Sequence, residues 1–321
     1  MFTLAELETA EGLVHRHVPP TPQYAWPLLA SETGTETWVK HENHTPTGAF
    51  KVRGGLVHVD RLAAESGLGT GLITATTGNH GQSIAFAGRA AGVPVTIVAP
   101  HGNSPEKNAA MVGFGAELIE HGHDFQAARE HAGKLAADRG LTMVPPFHRD
   151  LVLGVATYAR ELLTTTDLDT VYVPVGQGSG ICGMIAVRDL LGLRTEIVGV
   201  VAEQAPATKL SFEAGKVVPT ESVNTFIDGV ACRVPVEEAI STIVAGAERI
   251  VAVSEEACAD AIRILLRTTH NLAEPGGAIA LAGLLADRES QRGKRVGIVL
   301  SGGNLDASRL ATILAGQTPT P

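Results

Sequence analysis

The sequence predicts an α/β protein built on parallel sheets with helices on both faces. Three observations carry that prediction. From Leu72 onward, short apolar runs alternate with helix-length amphipathic segments, the pattern of βαβ units. The apolar runs are nearly continuous rather than alternating, as strands covered on both faces require. The turns that follow several runs are rich in glycine, serine and threonine, and open α/β sheets gather ligands there, outside the carboxyl ends of the strands.

Taken in order, Thr37 to Val39 is the first strand-like run, and a polar loop with Pro46 and Gly48 leads to a helical segment that carries Lys51 at its beginning. Gly67 to Gly71 is a glycine-rich link. Leu72 to Ala75 reads as a strand, Asn79 to Ala91 as a helix, Val95 to Val98 as a strand, and Ser104 to Val112 as a helix with Ser104 as cap and Pro105 in its first position, where the missing N–H has no partner to lose. Ala116 to Glu120, Phe125 to Asp138 and Leu141 to Val144 continue the alternation up to the break at Pro145-Pro146. Beyond it, helices are expected at Leu151 to Leu163, Ile181 to Leu191, Ala207 to Ala214, Val236 to Val244, Glu255 to Arg267 and Ala278 to Ala286. Strands are expected at Val171 to Val175, Ile197 to Val201, Ile250 to Val253 and Val296 to Leu300.

With 321 residues and 44% hydrophobic content, the chain can bury a large core and has the length of about two domains. The expected division is a larger domain from residues 1–70 and 147–321 and a smaller one, 71–146, inserted into it. A formal charge of −9 without any cluster of Lys and Arg argues against nucleic acid or an anionic membrane as partner and leaves small molecules and a second copy of the chain, a homodimer being expected. Met1 to Glu11 is acidic and amphipathic, unlike a signal or transit peptide, and no run approaches the roughly 18 apolar residues of a membrane span. Cys182, Cys232 and Cys258 are widely spaced, which suits buried thiols in a reducing cytoplasm.

Four stretches carry chemistry. Lys51, flanked by Phe50 and Val52 at a helix start, is expected in surroundings that disfavour the ammonium form, which makes an amine a nucleophile or a Schiff-base former. Thr76-Thr77-Gly78-Asn79-His80-Gly81 lies between a strand and a helix, so its hydroxyls and N–H groups suit a carboxylate, or else Thr77 or Asn79 only caps the helix. Gly176-Gln177-Gly178-Ser179-Gly180 opens another helix after a strand, and its N–H groups can wrap a phosphate. By itself this third stretch also fits a dinucleotide site, with Gly178, Gly180 and Gly183 as the fingerprint and Glu203 as the ribose-binding acid. Ser301-Gly302-Gly303-Asn304 ends a strand in a hydroxyl and two glycines, and Glu274-Pro275-Gly276-Gly277 opens a helix. His41 with His44, and His121 with His123, have no third ligand at a recognisable spacing, so no metal site is expected from them.

The run Pro46-Thr47-Gly48-Ala49-Phe50-Lys51-Val52-Arg53-Gly54-Gly55 resembles the lysine signature of the fold type II pyridoxal-phosphate enzymes, the tryptophan synthase β and threonine dehydratase group. The other motifs match in order across residues 40 to 305. The resemblance implies a two-domain fold with three-layer sheets, pyridoxal 5'-phosphate as cofactor and Lys51 as its covalent attachment and catalytic base. It also implies cofactor contacts from Phe50, Asn79, Gly176, Gln177, Gly178, Ser179, Gly180, Glu274 and Ser301, and substrate-carboxylate contacts from Thr76, Thr77, Gly78, Asn79 and His80. The chain departs from the family pattern at Gln177 and Ser179, where glycines are usual, at Gly276, where serine is usual, and at Gly154-Val155-Ala156-Thr157, where the family has Gly-Gln-Gly-Thr. A serine against the ring nitrogen, as in the serine/threonine dehydratase branch, weakens the ring as an electron sink and suits elimination.

The activity so implied is that of a lyase of amino-acid catabolism, an ammonia-lyase or dehydratase turning threonine, serine, 3-hydroxyaspartate or a phenylserine-like amino acid into a 2-oxo acid and ammonia. The alternatives are an NAD-binding oxidoreductase, a pyridoxal-phosphate racemase and a β-replacement enzyme. Thr77 stands where serine racemases carry the serine that serves as acid or base opposite the lysine, and its extra methyl restricts the rotamer, so elimination is expected above racemisation. Too little chain follows Asn304 for a regulatory domain, and simple kinetics are expected. Members of the group that bind a divalent cation use positions matching Glu203, Ala207 and Lys209. The lysine cannot ligate a cation and is expected to pair with Glu203 or point to solvent, which gives metal independence.

Overall fold

The computed structural model describes all 321 residues. In chain order the elements are α1 (Leu4–His15), β1 (Gln23–Ala25), α2 (Pro27–Thr33), β2 (Glu36–His41), α3 (Lys51–Glu65), β3 (Leu72–Ala75), α4 (Asn79–Ala91), β4 (Val95–Ala99) and α5 (Pro105–Gly113). Next come β5 (Glu117–Glu120), α6 (Phe125–Arg139), β6 (Thr142–Met143), α7 (Arg149–Thr165), β7 (Thr170–Pro174), α8 (Ser179–Leu190), β8 (Glu196–Ala202) and α9 (Ala207–Ala214). The chain ends with α10 (Glu237–Gly246), β9 (Arg249–Val253), α11 (Glu255–Thr269), α12 (Pro275–Ala286), α13 (Arg288–Gln291), β10 (Arg295–Leu300) and α14 (Ala307–Leu314). No helix is long and apolar enough to cross a membrane.

The chain divides into two compact units. The first comprises Met1–Leu4, Pro20–Ala49 and Ala156–Pro321. Its six-stranded sheet has the order β1-β2-β10-β7-β8-β9, parallel throughout except for β1, which runs antiparallel to β2 with Tyr24 opposite Val39. Helix α12 is apolar and buried along nearly its whole length, so it reads as an internal helix rather than an amphipathic one. Gly283 lets it lie directly on the strands, because a Cβ there would stand 2.5 Å from Val200. Helix α11 turns its apolar side, with Ile262 and Leu265, into the same core.

The second unit comprises Ala5–Pro19 and Phe50–Val155. Its four-stranded sheet has the order β5-β4-β3-β6 and is parallel throughout. Every residue of β3 and β4 is buried, and Ile73, Ala75 and Val98 pack with Ala128 and Ala132 of α6. Ser104 and Asp124 cap α5 and α6, accepting the N–H groups of Lys107 and Ala127 at 3.1 and 2.8 Å.

These bounds differ from the expected 1–70, 71–146 and 147–321. Helix α3 goes with the smaller sheet because it lies against α4 without room for a side chain: a Cβ on Gly55 would run into Ser83. On the same helix, a Cβ on Gly54 would stand 2.7 Å from the carbonyl oxygen of Leu151. Helices α1, α2, α13 and α14 and the three-residue strand β1 were not expected from the pattern.

Candidate active site

Within the second unit, Lys51 is the first residue of α3. It is half-buried, and its Nζ lies 5.0 Å from the centre of the Phe50 ring. That distance is within the range at which the face of an aromatic ring attracts a cation. The Lys51 carbonyl accepts the Ser83 hydroxyl at 2.6 Å, which fixes the start of α3 to α4.

The loop that opens α4 belongs to the same unit. Gly78 N–H donates to the Thr76 hydroxyl at 3.1 Å, a local turn that spends the threonine side chain on the loop itself. Thr77 and Asn79 are half-buried, and Asn79 is the first residue of the helix. Helices leave their first N–H groups without a helical acceptor and carry positive potential at that end, so this segment can take a carboxylate. His80 is turned inward: it is 8% exposed and its ring is hydrogen-bonded to the backbone of Val144. Burial, with the charges of Lys51 and His58 adding to it, pushes its pKa down to about 3, so the ring is neutral and only its backbone is placed for an anion.

In the first unit, three loops meet at the carboxyl ends of β2, β10 and β7. The turn Thr45 to Gly48 closes with Gly48 N–H on the Thr45 carbonyl at 2.9 Å. The Thr45 hydroxyl accepts Ala49 N–H at 2.9 Å and donates to the Ala49 carbonyl at 2.8 Å. Gly48 has φ +67°, and a Cβ there would meet Asn304 Oδ1 at 2.6 Å, so both backbone and space demand glycine. This turn is stitched to the loop after β10: Gly303 N–H reaches the Gly48 carbonyl at 2.9 Å, Asn304 Nδ2 the Thr47 carbonyl at 2.8 Å, and Ala49 pairs with Gly302.

Ser301, 7% exposed, donates its hydroxyl to the Gly276 carbonyl at 3.0 Å. Glu274 sits at the start of α12, 2% exposed, with its carboxylate over Gly302, where any Cβ would displace it. It therefore both begins the helix and lies one residue from the Ser301 hydroxyl.

The segment Gly176 to Gly180 runs from β7 into α8. Gly178 has φ +98°, a region that glycine enters without strain. A Cβ on Gly176 would stand 2.5 Å from the carbonyl oxygen of Gly229, and the Tyr158 hydroxyl holds the Gly180 carbonyl at 3.3 Å. Gln177 is half-buried and Ser179 buried. Gly229 also lies against Gly276, so the short turn at Asp228–Val230 supports both the helix opening and the start of α12. The sequence reading missed this turn, although the Asp228-Gly229 pair is an ordinary turn signal. Gly183 belongs to packing, with a Cβ position 3.2 Å from the backbone of Ala156, the alanine that stands where the family pattern has glycine.

Lys209 does not pair with Glu203; it pairs with Glu213 one turn along α9. His121 stacks on His131 with ring centres 3.8 Å apart, and His41 accepts the Trp26 indole N–H at 3.1 Å. All three cysteines are buried, and burial pushes the thiols of Cys182 and Cys232 up to about 12 and about 11.

The sequence model of the family described as "Pyridoxal-phosphate dependent enzyme" matches residues 14–302. The chain belongs to that family. It is 32% identical to the L-threo-3-hydroxyaspartate ammonia-lyase of Saccharomyces cerevisiae, over 99% of this chain and 98% of that one. It is also 32% identical to the L-threonine ammonia-lyase of Thermotoga maritima, over 98% of this chain and 78% of that one. The processed form of threonine deaminase isoform 2 from Solanum lycopersicum superposes with a TM-score of 0.89 at 27% identity, covering 98% of this chain and 94% of the other. The fold is that of the fold type II enzymes, and the cofactor is pyridoxal phosphate. The residues present fit it: an amine at a helix start, a second helix start shaped by Gly176 and Gly178, and a buried hydroxyl at the end of β10. With the family goes the dinucleotide reading of Gly178, Gly180 and Gly183.

Proposed function

We propose that this enzyme is an ammonia-lyase converting a 3-hydroxy L-amino acid into a 2-oxo acid and ammonia. The observation that carries the reading is Lys51 as the first residue of α3, behind a turn built from Thr45, Gly48 and Ala49, in a chain of this family. Bound pyridoxal phosphate supplies an electron sink for the charge left at the substrate Cα. Lys51 would hold it covalently and, once displaced by the substrate amine, take the α-proton at Nζ. Gly176 to Gly180 would bind its phosphate through backbone N–H groups at the start of α8, Asn79 its ring hydroxyl, and Ser301 its ring nitrogen. Ser301 donates to the Gly276 carbonyl, so its hydroxyl would have to turn to serve the ring. Phe50 and Glu274 would flank the cofactor. Thr77, Gly78 and the N–H groups of Asn79 and His80 would hold the substrate carboxylate, with Thr76 shaping the loop.

The test is a panel of L-threonine, L-serine, L-threo-3-hydroxyaspartate and phenylserine, read by 2-oxo acid and ammonia release. 3-Hydroxyaspartate goes first, because the relative of that activity matches end to end. The protein should absorb in the visible and lose that band in Lys51→Ala; a protein that stays colourless with added pyridoxal phosphate and releases no oxo acid would sink the reading. From L-serine, pyruvate should exceed D-serine, as the restricted Thr77 rotamer implies; equal rates would favour a racemase. Within the second unit, 71–146 is proposed as the part that moves, a homodimer is expected by sedimentation, and the buried, inert thiols support a cytoplasmic location.

A further inference from the structure

We propose that His58, His148 and Asp150 form a binding site for a borderline divalent cation of the zinc type. Each offers a ligand atom, and the three atoms lie within 4.8 Å of one another. All three residues belong to the second unit. His58 is 5% exposed, its Nδ1 makes no hydrogen bond, and it points at Asp150 Oδ2 from 3.9 Å. His148 Nδ1 lies 3.3 Å from the same oxygen, and the two imidazole rings are 4.7 Å apart. A buried ring nitrogen without a partner costs free energy, and a shared cation removes that cost.

The surroundings prepare the carboxylate. Asp150 Oδ1 is held by Arg61 at 3.1 Å, with Arg149 at 3.6 Å, which leaves Oδ2 on the side of the imidazoles. Both guanidiniums also reach Glu6, at 3.4 and 2.6 Å, so two cations and two carboxylates balance before any metal arrives. Tetrahedral zinc needs its ligand atoms about 3.3 Å apart, so the cluster must tighten. His148 is the part that can move: it is 46% exposed, although its Nδ1 also accepts Asp150 N–H at 3.2 Å and the ring must turn to offer a lone pair.

Two imidazoles and one carboxylate suit zinc, cobalt or nickel rather than magnesium or calcium, which take oxygen ligands. A water would complete the coordination on the exposed side. The ion would tie α3, on which His58 follows Lys51 by about two turns, to the first residues of α7. This site is independent of the reaction catalysed.

Cobalt(II) titrated into the holoenzyme should bind at one ion per chain with visible d–d absorption beyond the cofactor band, and zinc(II) should displace it. His58→Ala, His148→Ala and Asp150→Asn should each weaken zinc binding about tenfold or more, whereas His123→Ala, at a fully solvated histidine, should not. His148→Ala is the decisive variant should His58→Ala misfold, because residue 148 is exposed. Lys51→Ala should retain the ion, which excludes coordination by the cofactor. Absence of stoichiometric binding, unchanged affinity in His148→Ala and Asp150→Asn, or displacement of zinc by equimolar magnesium would each overturn the proposal.

Discussion

Lys40 is the penultimate residue of the strand that leads to the Thr45–Ala49 turn, and Lys51 opens the helix that follows it, yet the two amines have different surroundings. Lys40 is fully buried, with Nζ 2.6 Å from Glu161 and 2.9 Å from the Thr21 carbonyl. Lys51 is half-buried and faces an aromatic ring. An amine locked by a carboxylate at short range in the core serves the fold; one at a helix start beside an aromatic ring is placed for covalent chemistry. The difference lies in burial and surroundings rather than in residue type.

The comparison can be broken most forcefully at Lys51. Lys51→Ala should lower kcat/KM ten-thousandfold or more, roughly 5.5 kcal/mol, while urea unfolding shifts by less than about 1 kcal/mol. A comparable loss of stability would make Lys51 structural as well. Glu161→Ala should do the reverse, costing roughly 3–5 kcal/mol in the same unfolding measurement because it strands a buried ammonium. Combining it with Lys40→Met should recover much of that loss, and failure to do so would mean that Glu161 acts through other contacts.

A smaller effect comes from His41, next to Lys40 on β2. Burial pushes its pKa down to about 4, with His44 and Lys40 adding to the shift. The folded protein therefore keeps it neutral, whereas the unfolded chain protonates near 6.5. Its contribution is complete above pH 6.5, falls as the pH drops from there to about 4, and levels off below, at most about 3 kcal/mol in all. His41→Phe should flatten that slope in stability measured against pH; an unchanged slope would assign it to other groups.

The smallest effects separate the two helix-opening glycines. Gly178→Ala forces a positive φ and brings Cβ to 2.9 Å from Ala239, so about 1–3 kcal/mol of stability and much of the cofactor affinity should go. Gly78 has φ 175°, outside the left-handed region, and a Cβ there would meet only the side chain of Lys107, at 2.8 Å. Gly78→Ala should cost less than about 1 kcal/mol and raise KM with the visible band intact. Equal losses of cofactor in both variants would erase the distinction between the loops.

How much of this was legible before any coordinates depended on the range of the interactions. The bounds of β3, α4 and α9 were read to the residue because hydrophobic period and flanking glycines act locally. Strand β1 was missed because its three residues are largely exposed and are held only by pairing with β2. The unit boundary at Phe50 and the support of Gly176 by Gly229 depend on backbone contacts between distant segments. The pairing of Lys209 with Glu213 depended on a rotamer. In the candidate site, residue types in a fixed order pointed to Lys51, Asn79 and Ser301. The His58 cluster had no such order, since His58 is far in the chain from His148 and Asp150 and reaches them only through the packing of α3.

The contact between Gly55 and Ser83 has a consequence for how this sequence can change over generations. Any side chain at 55 displaces the hydroxyl that secures the Lys51 carbonyl, and anything bulkier than serine at 83 has nowhere to go while α3 keeps its place. Neither position can drift alone without passing through a damaged enzyme. The two are bound into one heritable unit, and a lineage that alters one must already carry a compensating shift of the helix that bears the lysine.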